Sequence, residues 1–156
     1  MKQAVALVIY RDSTGDEVLS VLRPEDDDDH PGMWGLPATS LDTDETWEDA
    51  VHRAAEEKLG VAVEMRSVLS EGTQSRPDYH ITLRNYAVDI VDGDPEVPQD
   101  GHPGTQYEDW DWKAVEQLRE TAEDGGSLCT SLLLDYHGHE FDVPSNITAT
   151  GHIGDT

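Results

Sequence analysis

The sequence predicts an α/β fold in which a mixed β-sheet is covered by helices. Two observations indicate it: apolar, β-rich runs lie both before and after one strongly marked amphipathic helix, and further helical segments follow towards the carboxyl end. The 156 residues are enough for one domain with a sizeable core and too few for two full-sized domains. We therefore expect a single folded domain.

The amino-terminal part of the chain predicts a β-hairpin followed by a loop. Apolar runs at 4–10 and 17–23 flank a turn that contains Gly15, an arrangement typical of paired strands. Residues 24–32 hold two prolines, a glycine and a block of acids, so they are predicted to form a solvated loop. A short apolar stretch follows at 33–37.

The clearest helix of the chain is predicted at residues 43–59. Thr43 or Thr46 can cap its first turn, acids in that turn favour the positive end of the helix dipole, and Gly60 ends it. The apolar positions recur at helical spacing and form one stripe: Trp47, Ala50, Val51, Ala54, Ala55 and Leu59. We expect this stripe to face the core.

The remainder of the chain supplies further elements and then a polar tail. The predicted elements are strands at 61–69, 79–91 and 108–112, a loop at 92–105, and helices at 114–123 and 127–136. Beyond them the chain is polar and aperiodic. We therefore place the folded domain at residues 1–138 and expect 139–156 to be a loosely packed or disordered tail.

The composition is strongly acidic. Ten Lys and Arg residues stand against 34 Asp and Glu residues, which gives a formal charge of −24. The basic residues do not cluster in the sequence, so the composition excludes a nucleic-acid binder that neutralises phosphates. Acids spread along the whole chain, with Asp above Glu and Arg above Lys, resemble the surface of a protein from a very salty cytoplasm. Salt near 1 M reduces the Debye length to about 3 Å and screens their repulsion.

Cysteine usage and the amino terminus predict a soluble cytoplasmic protein. Cys129 is the single cysteine, so it can form no internal disulfide and no paired-cysteine metal site. The apolar run at 4–10 is too short for a secretion signal or a membrane span. We expect no membrane partner, and the sequence does not indicate an oligomeric state.

Residues 34–61 resemble the Nudix box, whose pattern is G-x5-E-x7-R-E-U-x-E-E-x-G-U with U a bulky apolar residue. The chain reads WGLPAT at 34–39, then Glu45, then RAAEEKLGV at 53–61. Starting the motif at Thr39 puts Glu45, Arg53 and Glu57 on their motif positions, together with the closing Gly and Val at 60–61. The resemblance implies a Nudix-type α/β/α sandwich with a mixed β-sheet.

The resemblance also implies a metal site, which this sequence has largely lost. In Nudix hydrolases three carboxylates at helical positions i, i+3 and i+4 lie on one face and hold Mg²⁺ or Mn²⁺ through oxygen. These positions are Ala54, Glu57 and Lys58 here, so one carboxylate of three remains. Glu56, at the motif's free position, is a further candidate ligand if the helix is locally distorted. We expect Mg²⁺ or Mn²⁺ to be bound weakly if at all.

Other positions of the Nudix box concern the structure of the loop and helix. The first glycine of the motif is replaced by Thr39, whereas Glu45 and Arg53 resemble the family's internal ion pair that ties the loop to the helix. Glu57 is the candidate catalytic and metal-binding residue. Some Nudix subfamilies carry an acid a few residues before the Trp at position 112, and either Gln106 or Glu108 occupies that place.

Two functions are compatible with these residues. The first is a Nudix-type hydrolase of a nucleoside diphosphate linked to another moiety, with metal-assisted attack of water on the diphosphate, weakened by the lost ligands. Arg23 and Lys58 would then contact the substrate phosphate, and Glu57 and Glu108 would serve catalysis. The alternative is a catalytically silent Nudix-fold module that binds or senses the same kind of small nucleotide.

Overall fold

The computed structural model describes residues 2–25, 32–97 and 107–149 of the chain. Its strands are β1 (Lys2–Val8), β2 (Glu17–Leu22), β3 (Trp34–Gly35), β4 (Ala38–Ser40), β5 (Ala62–Ser75), β6 (His80–Asp92), β7 (Asp109–Ala114) and β8 (Ile147–Ala149). Its helices are α1 (Trp47–Ala54), α2 (Arg119–Glu123) and α3 (Leu128–Tyr136). A π-helical turn at Ala55–Leu59 continues α1, and a 3₁₀ turn at Val115–Leu118 precedes α2.

The strands form two sheets. The larger has the order β4-β1-β6-β5-β8, and the smaller has the order β3-β2-β7. β1 runs parallel to β6, while all other neighbouring strands are antiparallel. The predicted mixed sheet is therefore confirmed.

β1 is buried on both faces and separates two apolar cores. Its alternate residues Ala4, Ala6 and Val8 pack in the cluster that contains the apolar side chains of α2 and α3. The intervening residues at 5, 7 and 9 pack in the cluster that contains the buried stripe of α1. Helices thus cover the sheet from both sides, as the predicted α/β fold requires.

The predicted amino-terminal hairpin is present only at its closed end. β1 and β2 lie in different sheets and meet at a single bridge between Tyr10 and Val18, with the Leu19 amide donating to the Ile9 carbonyl at 2.9 Å. Both edges of β1 are already paired, with β4 on one side and β6 on the other. β2 can therefore pair only with the residues beyond the end of β1.

The predicted helix at 43–59 begins later than its first threonine. Thr46 caps α1, because its side chain accepts a hydrogen bond from the Asp49 amide at 3.1 Å. Asp44 adopts a left-handed conformation with φ 66°, so the preceding residues form a turn. The last turn widens to π-helical geometry and ends at Gly60, whose φ of 70° favours glycine.

The carboxyl-terminal segment contains a strand that the sequence did not predict. β8 pairs antiparallel with β5 through residues 72–74, and Phe141 and Ile147 pack against the core. A Cβ atom on Gly72 would lie 2.7 Å from a Leu132 methyl carbon, so glycine allows α3 and β8 to approach β5 closely. The domain boundary at residue 138 stays a prediction, and residues 150–156 of the expected tail lie outside the described residues.

Two further sequence expectations concern helices and the acidic loop. Of the helices in the described ranges, none is long and apolar enough to cross a membrane. The acidic run at 26–29, predicted to be a solvated loop, lies outside the described residues.

Candidate functional site

Arg53 connects the loop before α1 to the helix itself. Its guanidinium donates to both carboxylate oxygens of Glu45, each at 2.9 Å, and to the Ser40 carbonyl at 2.6 Å. It also donates to Glu57 Oε1 at 3.1 Å and to Thr39 Oγ1 at 3.4 Å. The planar fork of arginine suits this bidentate geometry, which the point charge of lysine cannot reproduce. The structure thus brings together four residues that the sequence singled out.

This ion pair shifts the pKa of both partners. Hydrogen bonding from Arg53 holds the pKa of Glu45 below its ordinary value of 4.5, although burial acts in the opposite direction. Hydrogen bonding to Glu45 raises the pKa of Arg53 in turn. The side chains are only 23% and 12% exposed, so salt screens their attraction less than it screens a surface pair. Both groups are therefore charged at neutral pH.

The three box positions that carry carboxylates in the family hold one acid, one apolar residue and one cation. Ala54 is fully buried in the core beneath α1, so it contributes packing. The Glu57 side chain is 18% exposed and is bound by Arg53, while Lys58 is 6% exposed. Although this turn is π-helical, the Glu56 side chain remains exposed at the surface.

These residues do not fit a divalent metal ion. The family resemblance implies Mg²⁺ or Mn²⁺, and such ions take several oxygen ligands at once. In the described parts of the chain, no group of three or more His, Cys, Asp or Glu side chains is placed to hold a metal ion. An ion beside Glu57 would also meet the positive charge of Arg53, whose guanidinium lies 3.1 Å from Glu57 Oε1 and would repel it.

A cavity of about 440 Å³ opens beside this network. Five of the ten Lys and Arg residues of the chain line it, whereas Asp42 is the one acid among the lining residues that the structure describes. The five cations are Lys2, Arg23, Arg53, Lys58 and Arg76. The volume lies within the range of about 300–1,000 Å³ that is usual for small-molecule sites. In a chain of charge −24, half of all basic residues are thus concentrated around this cavity.

Tyr107 organises one end of the cavity. Its buried ring lies 5.7 Å from Lys58 Nζ and 5.9 Å from the Arg23 guanidinium carbon, distances typical of cation–π contacts. Its hydroxyl accepts from the Ala38 amide at 3.0 Å and donates to the Ala38 carbonyl at 3.3 Å. The ring is therefore fixed to β4, and it brings together the two cations that the sequence analysis assigned to substrate phosphate. We call Arg23, Lys58 and Tyr107 the Tyr107 cluster.

Glu108 is not among the described residues that line the cavity. Its side chain is exposed, and its amide donates to the Leu22 carbonyl at 2.9 Å. It lies one residue from Tyr107, so it borders the Tyr107 cluster. Gln106, the other sequence candidate for this place, lies outside the described residues. The catalytic role of Glu108 stays a prediction.

Sequence reasoning missed part of the lining: Lys2, Arg76, Tyr79 and Tyr107. Lys2 lies opposite Ile81 in the parallel pairing of β1 with β6, and Arg76 and Tyr79 belong to the turn that precedes β6. No local pattern encodes a contact between residues so far apart in the chain. The one available signal was the small number of basic residues: because the chain has only ten, several of them at one place in the structure would indicate a site.

The comparisons with known proteins agree with this architecture. Residues 1–130 match the family model described as the NUDIX domain. The structure is similar to a MutT protein from Methanosarcina mazei Go1, with a TM-score of 0.68 and 14% identity over 88% of this chain and 93% of that chain. It is also similar to a MutT NUDIX hydrolase from Burkholderia pseudomallei, with a TM-score of 0.58 and 28% identity over 74% of this chain and 84% of that chain.

A third similar structure is a C. elegans Ap4A hydrolase, solved as a binary complex, with a TM-score of 0.62 and 17% identity over 88% of this chain and 98% of that chain. No curated protein matches the chain significantly. The family model covers most of the 156 residues, and the structural neighbours share the mixed α/β fold. The chain therefore belongs to the Nudix family.

Proposed function

We propose that this chain is a Nudix hydrolase whose substrate is a nucleoside diphosphate linked to another group, and that protein cations bind the diphosphate. One observation carries the proposal: half of the chain's Lys and Arg residues line a single cavity beside the Nudix-box helix. Solved neighbours include proteins named UDP-X diphosphatase and ADP-ribose pyrophosphatase, and these names support the same substrate class.

The local charge of the cavity outweighs the net charge of the chain. A cation about 4 Å from a phosphate charge gains roughly 4 kcal/mol of Coulomb energy at an effective dielectric of 20. Asp42 lies in the lining, and Glu45 and Glu57 pair with Arg53, so these acids offset part of the positive charge. At roughly 1 M salt the Debye length of about 3 Å screens more distant acids from the ligand. A diphosphate inside the cavity therefore responds mainly to the lining cations.

The Tyr107 cluster is the proposed diphosphate site. Arg23 and Lys58 lie against one fixed ring, so both can approach neighbouring phosphate groups without a large loss of conformational freedom. Cations fixed in this way also stabilise the charge that develops on a phosphoryl group during attack by water. They bind, orient and neutralise the diphosphate.

Hydrolysis is proposed to be slow. Glu57 is the single carboxylate that remains at a family metal position, and Arg53 holds it in place. It is our candidate for orienting the attacking water, with Glu56 and Glu108 as exposed acids nearby in the sequence. With one carboxylate of three, most of the family's charge stabilisation is missing from this site.

A second candidate function is binding without hydrolysis, and a specific observation favours it. Ala54 is fully buried and offers no ligand oxygen, and one oxygen of the Glu57 carboxylate already accepts a hydrogen bond from the Arg53 guanidinium. Such a site can hold a nucleotide for sensing or regulation.

The test measures binding and turnover separately in multimolar KCl. ADP-ribose, UDP-glucose and diadenosine tetraphosphate are titrated by calorimetry in the presence of EDTA, and product release is followed by chromatography with Mg²⁺ or Mn²⁺ added. Glu57→Gln removes the charge of the candidate carboxylate but keeps a hydrogen-bond acceptor for Arg53. The control is Glu64→Gln, because Glu64 is an exposed acid on β5.

The outcomes separate the two functions. Turnover that Glu57→Gln abolishes and Glu64→Gln leaves unchanged supports the hydrolase. Binding in EDTA without turnover under any condition supports the silent module and overturns the hydrolase. Failure of all three nucleotides to bind overturns both.

A further inference from the structure

We infer that the ligand carries a second phosphate, separate from the diphosphate at the Tyr107 cluster, and that Lys2 and Arg76 bind it. This inference rests on the proposed function and specifies its substrate class. The second site is formed by Lys2, Arg76 and Tyr79, which we call the Tyr79 cluster. All three residues line the same cavity as the Tyr107 cluster.

The Tyr79 cluster repeats the arrangement of the Tyr107 cluster with different residues. The Tyr79 ring lies 5.2 Å from Lys2 Nζ and 5.8 Å from the Arg76 guanidinium carbon. Each cluster thus places one lysine and one arginine against one tyrosine ring. Two cations against one ring concentrate positive charge at this part of the cavity lining.

Arg76 is held in position by its neighbours. Its Nη1 donates to the Tyr79 hydroxyl at 3.2 Å, and its Nε donates to Gln74 Oε1 at 2.9 Å. Gln74 is 3% exposed and donates in turn to the Gly126 carbonyl at 2.7 Å. A buried amide therefore orients the guanidinium, which indicates a prepared site rather than a mobile surface arginine.

The two clusters are anchored at different places on β1 and its neighbours. The Tyr107 hydroxyl binds Ala38, which lies opposite Ala6 on β1, whereas Lys2 begins the same strand. Lys2 and Ala6 are four residues apart, so the backbone positions that anchor the two clusters are about 13 Å apart at the rise of a β-strand. A diphosphate group is shorter than this separation. We therefore expect a ligand that uses both clusters to bear phosphate at two separate places or along a longer chain.

The uncharged part of the lining suits the connecting part of such a ligand. Besides its charged residues, the cavity is lined by apolar and small polar side chains, among them those of Ala4, Thr39, Ser40, Ile81, Leu83 and Leu128. Such a surface can contact a ribose or another neutral group without adding charge. The second phosphate is then either a monoester on a sugar or the far end of a polyphosphate chain.

Matched ligand pairs test the inference in multimolar KCl with EDTA present. ADP-ribose is compared with ADP-ribose 2′-phosphate, and diadenosine diphosphate is compared with diadenosine tetraphosphate, each by calorimetry. We expect the member with additional phosphate to bind at least ten-fold more tightly in at least one pair. A gain in the first pair identifies a monoester, and a gain in the second identifies a longer phosphate chain.

Substitutions test whether the Tyr79 cluster causes the gain in affinity from the additional phosphate. The affinity ratio is the affinity for the ligand with additional phosphate divided by that for its matched partner. Lys2→Gln and Arg76→Gln should reduce this ratio towards one. Arg23→Gln should weaken the binding of both ligands of a pair and leave the ratio unchanged. Arg66→Gln serves as the control, since Arg66 is paired with Asp89 on an exposed surface and does not line the cavity. Circular dichroism confirms that each variant is folded.

Two results overturn the inference while the proposed function stands. One is binding of ADP-ribose and diadenosine diphosphate with a ratio of one in both pairs. The other is a ratio that Lys2→Gln and Arg76→Gln both leave unchanged in folded protein. Absence of binding by all four nucleotides overturns the proposed function itself.

Discussion

Replacing Arg53 with lysine should destabilise the fold by about 3 kcal/mol. The guanidinium makes five hydrogen bonds, three to carboxylate oxygens of Glu45 and Glu57, one to the Ser40 carbonyl and one to Thr39. A lysine ammonium has three donors and cannot match the bidentate pair with Glu45. At least two bonds are lost, and hydrogen bonds to charged groups contribute about 1.5 kcal/mol each at the lower end of their range.

Urea unfolding in multimolar KCl measures this loss. With an m-value of about 2 kcal/mol/M, the midpoint should fall by about 1.5 M. Arg66→Lys is the matched control: Arg66 also forms a 2.9 Å ion pair, with Asp89, but the two side chains are 64% and 54% exposed. Such surface pairs contribute less than about 1 kcal/mol, so the control midpoint should move little. A shift for Arg53→Lys no larger than the control shift would refute the assignment of Arg53 as the connection between loop and helix.

Three further predictions concern salt, pH and metal. The melting temperature should rise from dilute buffer to multimolar KCl because salt screens the repulsion of a −24 chain, and an unchanged value would contradict the halophilic interpretation. His137 forms a hydrogen bond with the Tyr10 hydroxyl at 2.8 Å, and burial lowers the pKa of its imidazole. The contribution of His137 to stability should therefore be present above pH 6.5 and decline as the pH falls below 6.5. Urea midpoints at pH 8 and pH 5.5 should differ less for His137→Gln, and an equal difference would count against this. Lys58→Glu should raise the affinity for Mn²⁺ at least ten-fold, as measured by electron paramagnetic resonance. The control is Lys113→Glu, which changes a lysine that lies over the Trp34 ring and should not raise this affinity. Equal effects of the two substitutions would argue against a local cause.

The fold was largely predictable because its strongest signals are local. The spacing of the Nudix box singled out Thr39, Glu45 and Arg53, and in the structure Arg53 donates hydrogen bonds to the other two, since a single loop and helix connect them. The helix and the long strands followed from periodicity and from Gly60. The prediction of a full amino-terminal hairpin was wrong, because the pairing partners of a strand depend on the whole sheet. Both edges of β1 are already paired, with β4 and with β6.

Part of the site could not be predicted from the sequence, and the reason is the topology of the sheet. Lys2 and Arg76 are far apart in the chain and meet because β1 runs parallel to β6, a pairing that leaves no local pattern. Strand β8 was missed for a similar reason, as Ile147 lies in a polar stretch and gains its burial from β5 and the core. The Nudix-box resemblance covered one wall of the cavity and gave no information about the opposite one.

The placement of five cations in one recess of a −24 chain has a consequence for the kinetics of ligand capture. At low ionic strength a polyanionic nucleotide diffusing towards this protein meets a repulsive field, and it feels attraction only on reaching the mouth of the recess. Added salt weakens the long-range barrier more than the contacts inside, because screening acts most strongly on separated, exposed charges. The encounter rate should therefore increase with ionic strength, the reverse of the trend for oppositely charged partners.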